Sequence, residues 1–388
     1  MPNRWFILAV LFTVRLTMAF QFQSVAAVAP LLGQNFGVGL ADIGILIGLY
    51  FTPGIALALP GGAIGQKFGD KTTVLVALLL MLIGGLAMAF SNMCAVQIAG
   101  RLVAGGGGVL LNVVMTKMVA DWFAGKEIAT AMAIFVNSWP AGIALALQTL
   151  PLIGTIYGVS AVHLAVAALI AAAFVLLATT YRPPSSNATT TVATSARLGR
   201  NALAAMILAG LIWGLFNVGI AVIFSFGPAM LVERGWSVPA AGSAISIVLW
   251  LTVFSVPAGG YLADRFGRPE VILVAGCILF AALMIALPRS GAVILTIAAL
   301  GLFCGQPAGP MLSLPARVLK PATRGIGMGV FYTLYYATMM LGPVVGGACA
   351  KWTGSAGAAF DFGAAVIIAC PPLLWGFNRI AARTPRLA

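Results

Sequence analysis

Two arginines, Arg15 and Arg101, lie inside long apolar segments of the sequence, where a charged side chain needs a specific reason to be present. On insertion scales a charge at the centre of a membrane-spanning helix costs roughly 2.5–3.5 kcal/mol, so such residues commonly mark a binding site or a buried structural contact. A guanidinium offers a planar set of N–H donors that suits oxyanions. Both arginines are therefore candidates for binding an anionic solute.

Arg101 opens a segment whose helical spacing predicts a polar stripe. At about 100° per residue Arg101, Gly105, Gly108 and Asn112 share one face, and we expect that face to line a cavity, with Asn112 as a hydrogen-bonding residue. The alternative is a structural role, in which Arg101 donates to backbone carbonyls of a neighbouring helix.

Helices one and five supply further polar candidates. Arg15 either faces the cavity with Phe22 above it or is buried against another helix of its own bundle, and the sequence leaves both positions open. Asn137 is a second amide candidate. It precedes Pro140, which removes a backbone donor, frees a carbonyl and is expected to bend the helix.

The second half of the chain offers aromatic and amide side chains instead of charges. Trp213, Trp250, Tyr332 and Tyr336 lie on apolar helices at spacings that predict aromatic faces, which form either packing surfaces or the wall of a cavity. Gln306 lies in a Gly-Gln-Pro-Ala-Gly-Pro segment that cannot continue a regular helix. Such a break either exposes Gln306 as a ligand residue or acts as a hinge.

The composition shows what must position these residues. With 61% hydrophobic and 7% charged residues and a mean hydropathy of +1.07, the chain is an all-α membrane protein rather than a soluble domain. A span needs about 20 mainly apolar residues, and the sequence predicts twelve such helices in two pseudo-symmetric six-helix bundles. We place the bundles at 1–181 and 201–388, joined by a polar linker, 182–200.

The distribution of charge predicts the topology. The net charge of +13 comes mostly from lysines and arginines at one side of the predicted spans, which places both termini in the cytoplasm. Because the charge follows the membrane topology, it does not indicate a nucleic-acid partner. The 8 acidic residues all fall in predicted loops or helix ends. Carriers of cationic drugs usually need a carboxylate in mid-membrane, so an anion is the favoured solute.

Two charged turns repeat at an offset of 198 residues, since Gly62 and Gly69 match Gly260 and Gly267. The second turn reads Gly-x-x-x-Asp-Arg-x-Gly-Arg and resembles the turn between helices two and three in each half of the major facilitator superfamily. In that family such turns hold the cytoplasmic side closed. The candidate gating residues are Gly62, Gly69, Asp70, Gly260, Asp264, Arg265 and Arg268.

Within the second turn we expect Asp264 to pair with Arg265 and Arg268, although these charges could also merely follow the positive-inside bias. The first turn departs from the family pattern, with Gln66 at the acidic position, so its contacts are either missing or made through Asp70 and Lys71. Lys117 is expected to pair with Asp121 one helical turn later.

Two segments, Met115-Thr-Lys-Met-Val-Ala-Asp-Trp-Phe123 and Asn137-Ser138-Trp139-Pro140, are together similar to the anion branch of the superfamily, nearest to the cyanate and nitroimidazole permeases. The resemblance implies a secondary transporter of the bacterial inner membrane that works by alternating access as a monomer in the lipid bilayer. The main alternative is efflux of small neutral or weakly acidic drugs on the aromatic wall, with structural arginines.

Other functional classes find little support. Neither a Ser-His-Asp set, paired carboxylates nor a metal-ligand cluster is apparent, so we expect no enzyme activity, no cofactor and no metal. The single histidine, His163, is either a bonded structural residue or a titrating one. The sequence does not decide among uniport, anion exchange and co-transport of a proton with the solute.

Overall fold

The computed structural model describes residues 3–37, 39–58, 60–91, 93–123, 127–183, 198–320 and 323–383, and every regular element within them is a helix. In these residues 12 segments are long and apolar enough to cross a membrane, which confirms the predicted fold class. The helices are α1 (Arg4–Ala26), α2 (Ala29–Phe36), α3 (Leu40–Leu49), α4 (Thr52–Leu57), α5 (Gly61–Phe68), α6 (Asp70–Phe90), α7 (Cys94–Trp122), α8 (Ile128–Val136), α9 (Ser138–Tyr157), α10 (Val159–Thr180), α11 (Arg200–Glu233), α12 (Val238–Phe266), α13 (Pro269–Ala286), α14 (Val293–Cys304), α15 (Ala308–Ser313), a short 3₁₀ helix (Leu314–Arg317), α16 (Arg324–Thr353), α17 (Gly357–Ile368) and α18 (Cys370–Ala381).

The chain forms two compact units. Unit 1 comprises Met1–Val38 and Leu49–Thr190, and unit 2 comprises Gly39–Gly48 and Thr191–Ala388. The predicted linker, 182–200, falls mostly outside the described residues, which omit 184–197.

Unit 2 is discontinuous because its short segment packs closely on α16. A Cβ atom at Gly44 or Gly48 would overlap the backbone carbonyl of Pro343 or Met340, respectively. Small residues let two helix backbones approach each other in this way, and close packing is a main source of helix association in a bilayer. The two glycines therefore account for the membership of this segment in unit 2.

Prolines divide several spans into two helices. Proline cannot donate a backbone hydrogen bond and clashes with the preceding turn, so a helix commonly bends or ends before it. The fifth span breaks at Asn137, before Pro140, and the tenth breaks around Pro307. Both breaks were predicted and are confirmed. Further breaks precede Pro53 in the second span and Pro371 in the twelfth.

One helix in each unit organises the packing. In unit 1, α1 contacts α7, α9 and α10, and its Val14, Met18 and Phe22 are at most 2% exposed. In unit 2, α11 contacts α12, α16, α17 and α18. Because α1 is surrounded by other helices, its polar side chains must find partners inside unit 1.

The two charged turns share a backbone feature. Gly69 and Gly267 follow the ends of α5 and α12 with φ of +84° and +62°, a region that side-chain-bearing residues rarely adopt. Gly62 lies in α5, and Gly260 lies against α15, where a Cβ at Gly309 would be 3.1 Å from the Gly260 Cα. The repeat seen in the sequence thus corresponds to repeated helix ends.

Candidate functional site

Arg15 lies at the centre of the 23-residue α1 and is held by four oxygen acceptors of unit 1. Its Nε donates to Asn112 Oδ1 (3.0 Å), and its Nη1 donates to the carbonyls of Phe135 (2.9 Å) and Val136 (3.1 Å) and to Ser138 Oγ (3.0 Å). The guanidinium also lies over the Phe135 ring, 4.7 Å from its centroid. The side chain is 9% exposed, so Arg15 occupies the packed position of the two that the sequence left open.

The break in the fifth span creates these acceptors. Pro140 has no N–H to donate to the carbonyl of Val136, and Arg15 bonds to that carbonyl instead. Asn137 lies at the break, half-buried, and its side chain does not cap α9. The predicted residues Arg15, Asn112 and Asn137 are therefore brought to one place. The predicted role of this group in binding a solute stays a prediction.

Arg101 is fully buried and bonded to the end of α1. Its Nη1 donates to the Gln21 carbonyl (2.7 Å) and its Nη2 to the Phe22 carbonyl (2.6 Å). The guanidinium lies over the rings of Tyr50 (4.7 Å) and Phe22 (5.5 Å). This is the carbonyl-bonded arrangement that the sequence offered as the alternative for Arg101.

The predicted cavity-lining stripe of α7 is wrong at its glycines. A Cβ at Gly105 would overlap the Tyr50 carbonyl, and one at Gly108 would overlap the Tyr50 hydroxyl. Both glycines are buried, and they let Tyr50 approach the α7 backbone closely. Tyr50 was missed in the sequence, although an aromatic pair just before Pro53 was a usable signal for a packed helix break.

An aromatic cluster connects the surroundings of the two arginines. The Phe22 ring lies 5.6 Å from Tyr50, 4.9 Å from Phe51 and 5.4 Å from Trp139, the residue that follows Ser138. Aromatic faces are electron-rich and attract cations. The cluster thus gives unit 1 an apolar environment that stabilises positive charge.

A second aromatic cluster lies between α11 and α16 in unit 2. Trp213 stacks on Phe331 (6.4 Å) and Tyr335 (6.5 Å), and Tyr335 contacts both Tyr332 (6.3 Å) and Tyr336 (5.1 Å). Tyr332 is 37% exposed, whereas Tyr336 is 1% exposed. Three predicted wall residues are therefore joined, but Tyr336 belongs to the packed interior.

The other two predicted residues of unit 2 lie outside this cluster. Trp250 is half-buried on α12. Gln306 lies in the break between α14 and α15, where a Cβ at Gly259 would overlap its backbone. The Gln306 amide donates back to the Leu302 carbonyl at 3.5 Å. The tight packing around this break fits a bend, and ligand contact by Gln306 stays a prediction.

The first charged turn is held by ion pairs. Lys117 Nζ lies 2.9 Å from Asp121 Oδ2, as predicted, and 2.6 Å from Asp70 Oδ2. Lys71 donates to carbonyls at the end of α10, including that of Tyr181 (2.9 Å). Burial, with the charges of Asp70 and Asp121, raises the pKa of Tyr181 to about 12, so its phenol stays neutral. The contacts of this turn thus run through Asp70 and Lys71.

The second charged turn differs from its prediction. Asp264, Arg265 and Arg268 are all exposed, and no ion pair of the described residues joins Asp264 to either arginine. Arg265 instead donates to the hydroxyl of a tyrosine one turn earlier (2.8 Å). The ion pair near this turn joins Glu270 and Arg317 (3.2 Å). Solvent competes for exposed charges, which explains the absence of the expected pairing.

We expect Asp70→Asn to lower the free energy of unfolding by about 1–2 kcal/mol, because Lys117 would keep only one of its two charged partners. The matched change Asp264→Asn removes the same charge from an exposed carboxylate and should alter stability by less than about 0.5 kcal/mol. Unfolding of the parent, Asp70→Asn, Lys117→Gln and the double variant in detergent measures the coupling energy between Asp70 and Lys117. Equal effects of the two aspartate changes would contradict the assignment.

A sequence profile of the Major Facilitator Superfamily matches residues 11–232 and again residues 202–386. Among curated proteins, Azole resistance protein 1 of Saccharomyces cerevisiae is 32% identical over 111 residues. That match spans 28% of this chain and 18% of the yeast protein, so the chain aligns with less than a fifth of that relative.

Solved transporter structures share the fold over nearly the whole chain. A D-xylose-proton symporter superposes with a TM-score of 0.80 at 15% identity, covering 97% of this chain and 98% of its own. A bacterial homolog of the human lysosomal transporter Spinster gives 0.75 at 17% identity, with 100% and 99% covered. The nucleoside transporter NupG gives 0.75 at 15% identity, with 97% and 100% covered. With the profile match across most of its length, the chain belongs to the Major Facilitator Superfamily and is a multi-pass membrane transporter rather than an enzyme.

Proposed function

We propose that the protein is a secondary transporter that moves a small anionic solute across the bacterial inner membrane by alternating access. The observation that carries the proposal is the Arg15 site: a guanidinium at the middle of a span, oriented by the amide of Asn112, two carbonyls and the hydroxyl of Ser138. These hydrogen bonds fix the position of a group whose planar donors suit an oxyanion.

The distribution of acidic residues supports an anion. All 8 carboxylates lie in loops or near helix ends, and those with ion pairs serve Arg4, Lys117, Arg289 and Arg317. A cationic solute would find no mid-membrane carboxylate, whereas an anion would be attracted by two arginines in the same unit. The amides of Asn112 and Asn137 beside Arg15 would add hydrogen-bond donors for an oxyanion.

Arg15 and Arg101 would then divide their roles. Arg15, although packed against the fifth span, is 9% exposed and would contact the solute through that remaining surface. Arg101, which is 0% exposed, would contribute charge from behind and keep the end of α1 in place. Trp213, Trp250, Gln306 and Tyr332 remain proposed contacts for the uncharged part of the solute, whereas Tyr336 packs on Tyr335 and would support that wall from the interior.

The charge bias also supports the proposed orientation, with both termini cytoplasmic. The resemblance to the cyanate and nitroimidazole permeases agrees with an anionic solute and rests on the segments 115–123 and 137–140. A monomer remains the proposed functional state.

Ligand-induced stabilisation tests the proposal. Purified protein is screened in detergent against small organic and inorganic anions, cations and neutral drugs, and an anion at 100 times its Kd should stabilise the parent by about 2.7 kcal/mol. Arg15→Gln should weaken binding of the same anion at least tenfold, a loss of about 1.4 kcal/mol or more, because it removes the charge and most donors. Arg15→Lys should recover only part of the affinity.

The matched control is Arg289→Gln, which removes an equal charge from an exposed residue outside the spans that is paired with Asp361. This variant should bind the anion like the parent. Uptake by proteoliposomes should follow the same order among the variants. An anion response that survives Arg15→Gln, or that is lost equally with Arg289→Gln, would contradict the assigned role.

Drug efflux is the second candidate, and the partial similarity to Azole resistance protein 1 favours it. The aromatic wall around Trp213 would then supply the main binding surface, and both arginines would be structural. If only neutral drugs stabilised the protein, and Arg15→Gln responded like the parent, efflux would replace anion transport as the proposed function.

A further inference from the structure

A cavity of about 380 Å³ opens at the predicted cytoplasmic end of unit 2. It lies where α12 passes into α13, next to α15, the following 3₁₀ helix and α18. The volume falls within the range of about 300–1,000 Å³ that is usual for small-molecule sites. The cavity is far along the chain from the Arg15 site and belongs to the other unit.

The floor of the cavity is apolar. Leu273, Leu314 and Leu374 line it and are 1%, 2% and 3% exposed, respectively. These side chains come from α13, the 3₁₀ helix and α18, so the floor is built by three separate elements of the unit. Because so little of each leucine is exposed, the floor is a small apolar patch that could contact only the first part of an acyl chain.

The rim of the cavity is positively charged. Arg268 and Arg317 both line it, and Arg268 stands immediately before α13, whose first turn contributes the positive end of a helix dipole. No side chain caps this helix. Glu270, in the first turn of the same helix, also lines the cavity, so the rim carries two positive charges and one negative charge. Guanidiniums and helix N-termini are groups that commonly bind phosphate.

Glu270 is the group that an incoming anion would displace. Its carboxylate pairs with Arg317 at 3.2 Å, and the two side chains are 49% and 41% exposed. Exposed pairs contribute little to stability, so Arg317 can exchange this partner for a phosphate at small cost. Glu270 therefore acts as an occupant of the site when no ligand is bound.

The surface next to the cavity has the character of a membrane interface. Phe266 and Val271 are 61% and 56% exposed, and Trp375 is 59% exposed with the Arg379 guanidinium 3.7 Å from its ring centroid. Aromatic residues and arginines concentrate at the headgroup level of a bilayer. A ligand of this cavity is therefore most readily supplied by the lipid itself.

We propose that this cavity binds one anionic phospholipid, with its phosphate between Arg268 and Arg317 and the start of one acyl chain on the leucine floor. The volume suits a headgroup and part of a chain rather than a whole lipid. The site is independent of the transported solute, and its test does not depend on the proposed function.

Native mass spectrometry of the delipidated full-length protein measures the binding. The probes are dioleoyl phosphatidylglycerol, dioleoyl phosphatidylcholine and glycerol 1-phosphate. The two lipids have the same chains and differ in headgroup charge, and glycerol 1-phosphate carries a phosphate without acyl chains. We expect one phosphatidylglycerol to bind at least tenfold more tightly than phosphatidylcholine, and glycerol 1-phosphate to bind at least tenfold more weakly than the lipid.

Four variants assign the binding to the cavity. Arg268→Ala and Arg317→Ala should each weaken phosphatidylglycerol binding about tenfold, and Glu270→Gln should strengthen it two- to fivefold by removing the competing carboxylate. The matched control is Arg265→Ala, in the same turn but outside the cavity lining. It should leave binding unchanged.

Several results would overturn the proposal. An equal loss in Arg265→Ala and Arg268→Ala would show general attraction to a basic surface. Glycerol 1-phosphate binding as tightly as the lipid would assign the site to a soluble phosphate. If Arg317→Ala folds poorly, the other two variants still test the proposal. Arg268→Ala must then weaken phosphatidylglycerol binding and Glu270→Gln must strengthen it.

Discussion

Replacing Arg101 with glutamine should lower the free energy of unfolding by about 3–5 kcal/mol. The change removes two hydrogen bonds from a charged donor, each contributing about 1.5–3 kcal/mol, and two cation–π contacts. Relief of the desolvation cost of a buried charge offsets part of the loss. The remainder is large because Arg101 is fully buried and fixes the end of α1, around which unit 1 is packed.

Arg101→Lys separates geometry from charge. Lysine keeps the charge, but its single nitrogen cannot reproduce two parallel bonds to the carbonyls of Gln21 and Phe22. We expect it to recover less than half of the lost stability in a denaturant titration in mixed micelles. A lysine variant as stable as the parent would show that charge alone matters. A glutamine variant within about 0.5 kcal/mol of the parent, the range usual for a surface substitution, would refute the structural role.

Gly105→Ala is the second large effect, and its neighbour provides the control. A Cβ at Gly105 would overlap the Tyr50 carbonyl, a backbone atom in the buried turn between α3 and α4 that can move only with that turn. At Gly106 a Cβ would be 3.8 Å from Pro53 Cβ and 3.9 Å from Leu57 Cδ1, which is ordinary contact. The same chemical change is therefore strained at one position and accommodated at the next.

Gly105→Ala should destabilise the protein, whereas Gly106→Ala should not. Overpacking costs typically 1–3 kcal/mol, and here it also separates Tyr50 from Arg101, so we expect a loss of at least about 2 kcal/mol for Gly105→Ala. Gly106→Ala should be neutral or gain up to about 1 kcal/mol from helix propensity. Thermal unfolding of both proteins measures the difference, and equal midpoints would refute the close contact at Gly105.

The sequence predicted the helices well because each span is a local pattern. Twelve apolar segments, the break before Pro140 and the pairing of Lys117 with Asp121 depend on residues close together in the chain. Helical periodicity gives the face of α7 that bears Arg101, but it does not identify the neighbouring helix on that face. The contacts with Gln21, Phe22 and Tyr50 needed the tertiary arrangement.

The charged turns show the same limit. The motif favoured the second turn, since residue types there match the family, yet the first turn has the ion pairs. Asp70 pairs with Lys117, 47 residues away, because the start of α6 lies beside the end of α7. Asp264 keeps the expected residue type but is exposed. A motif specifies the local helix end, whereas an ion pair depends on which distant residue lies opposite.

The discontinuity of unit 2 has a consequence for dissecting the protein. A cut within 184–197 would divide the chain inside the predicted linker, but the C-terminal fragment would lack Gly39–Gly48, of which Gly44 and Gly48 lie against α16. That fragment expressed alone would leave a groove beside Pro343 and Met340 unfilled. Co-expression of both fragments should restore a stable product, whereas either fragment alone should be degraded.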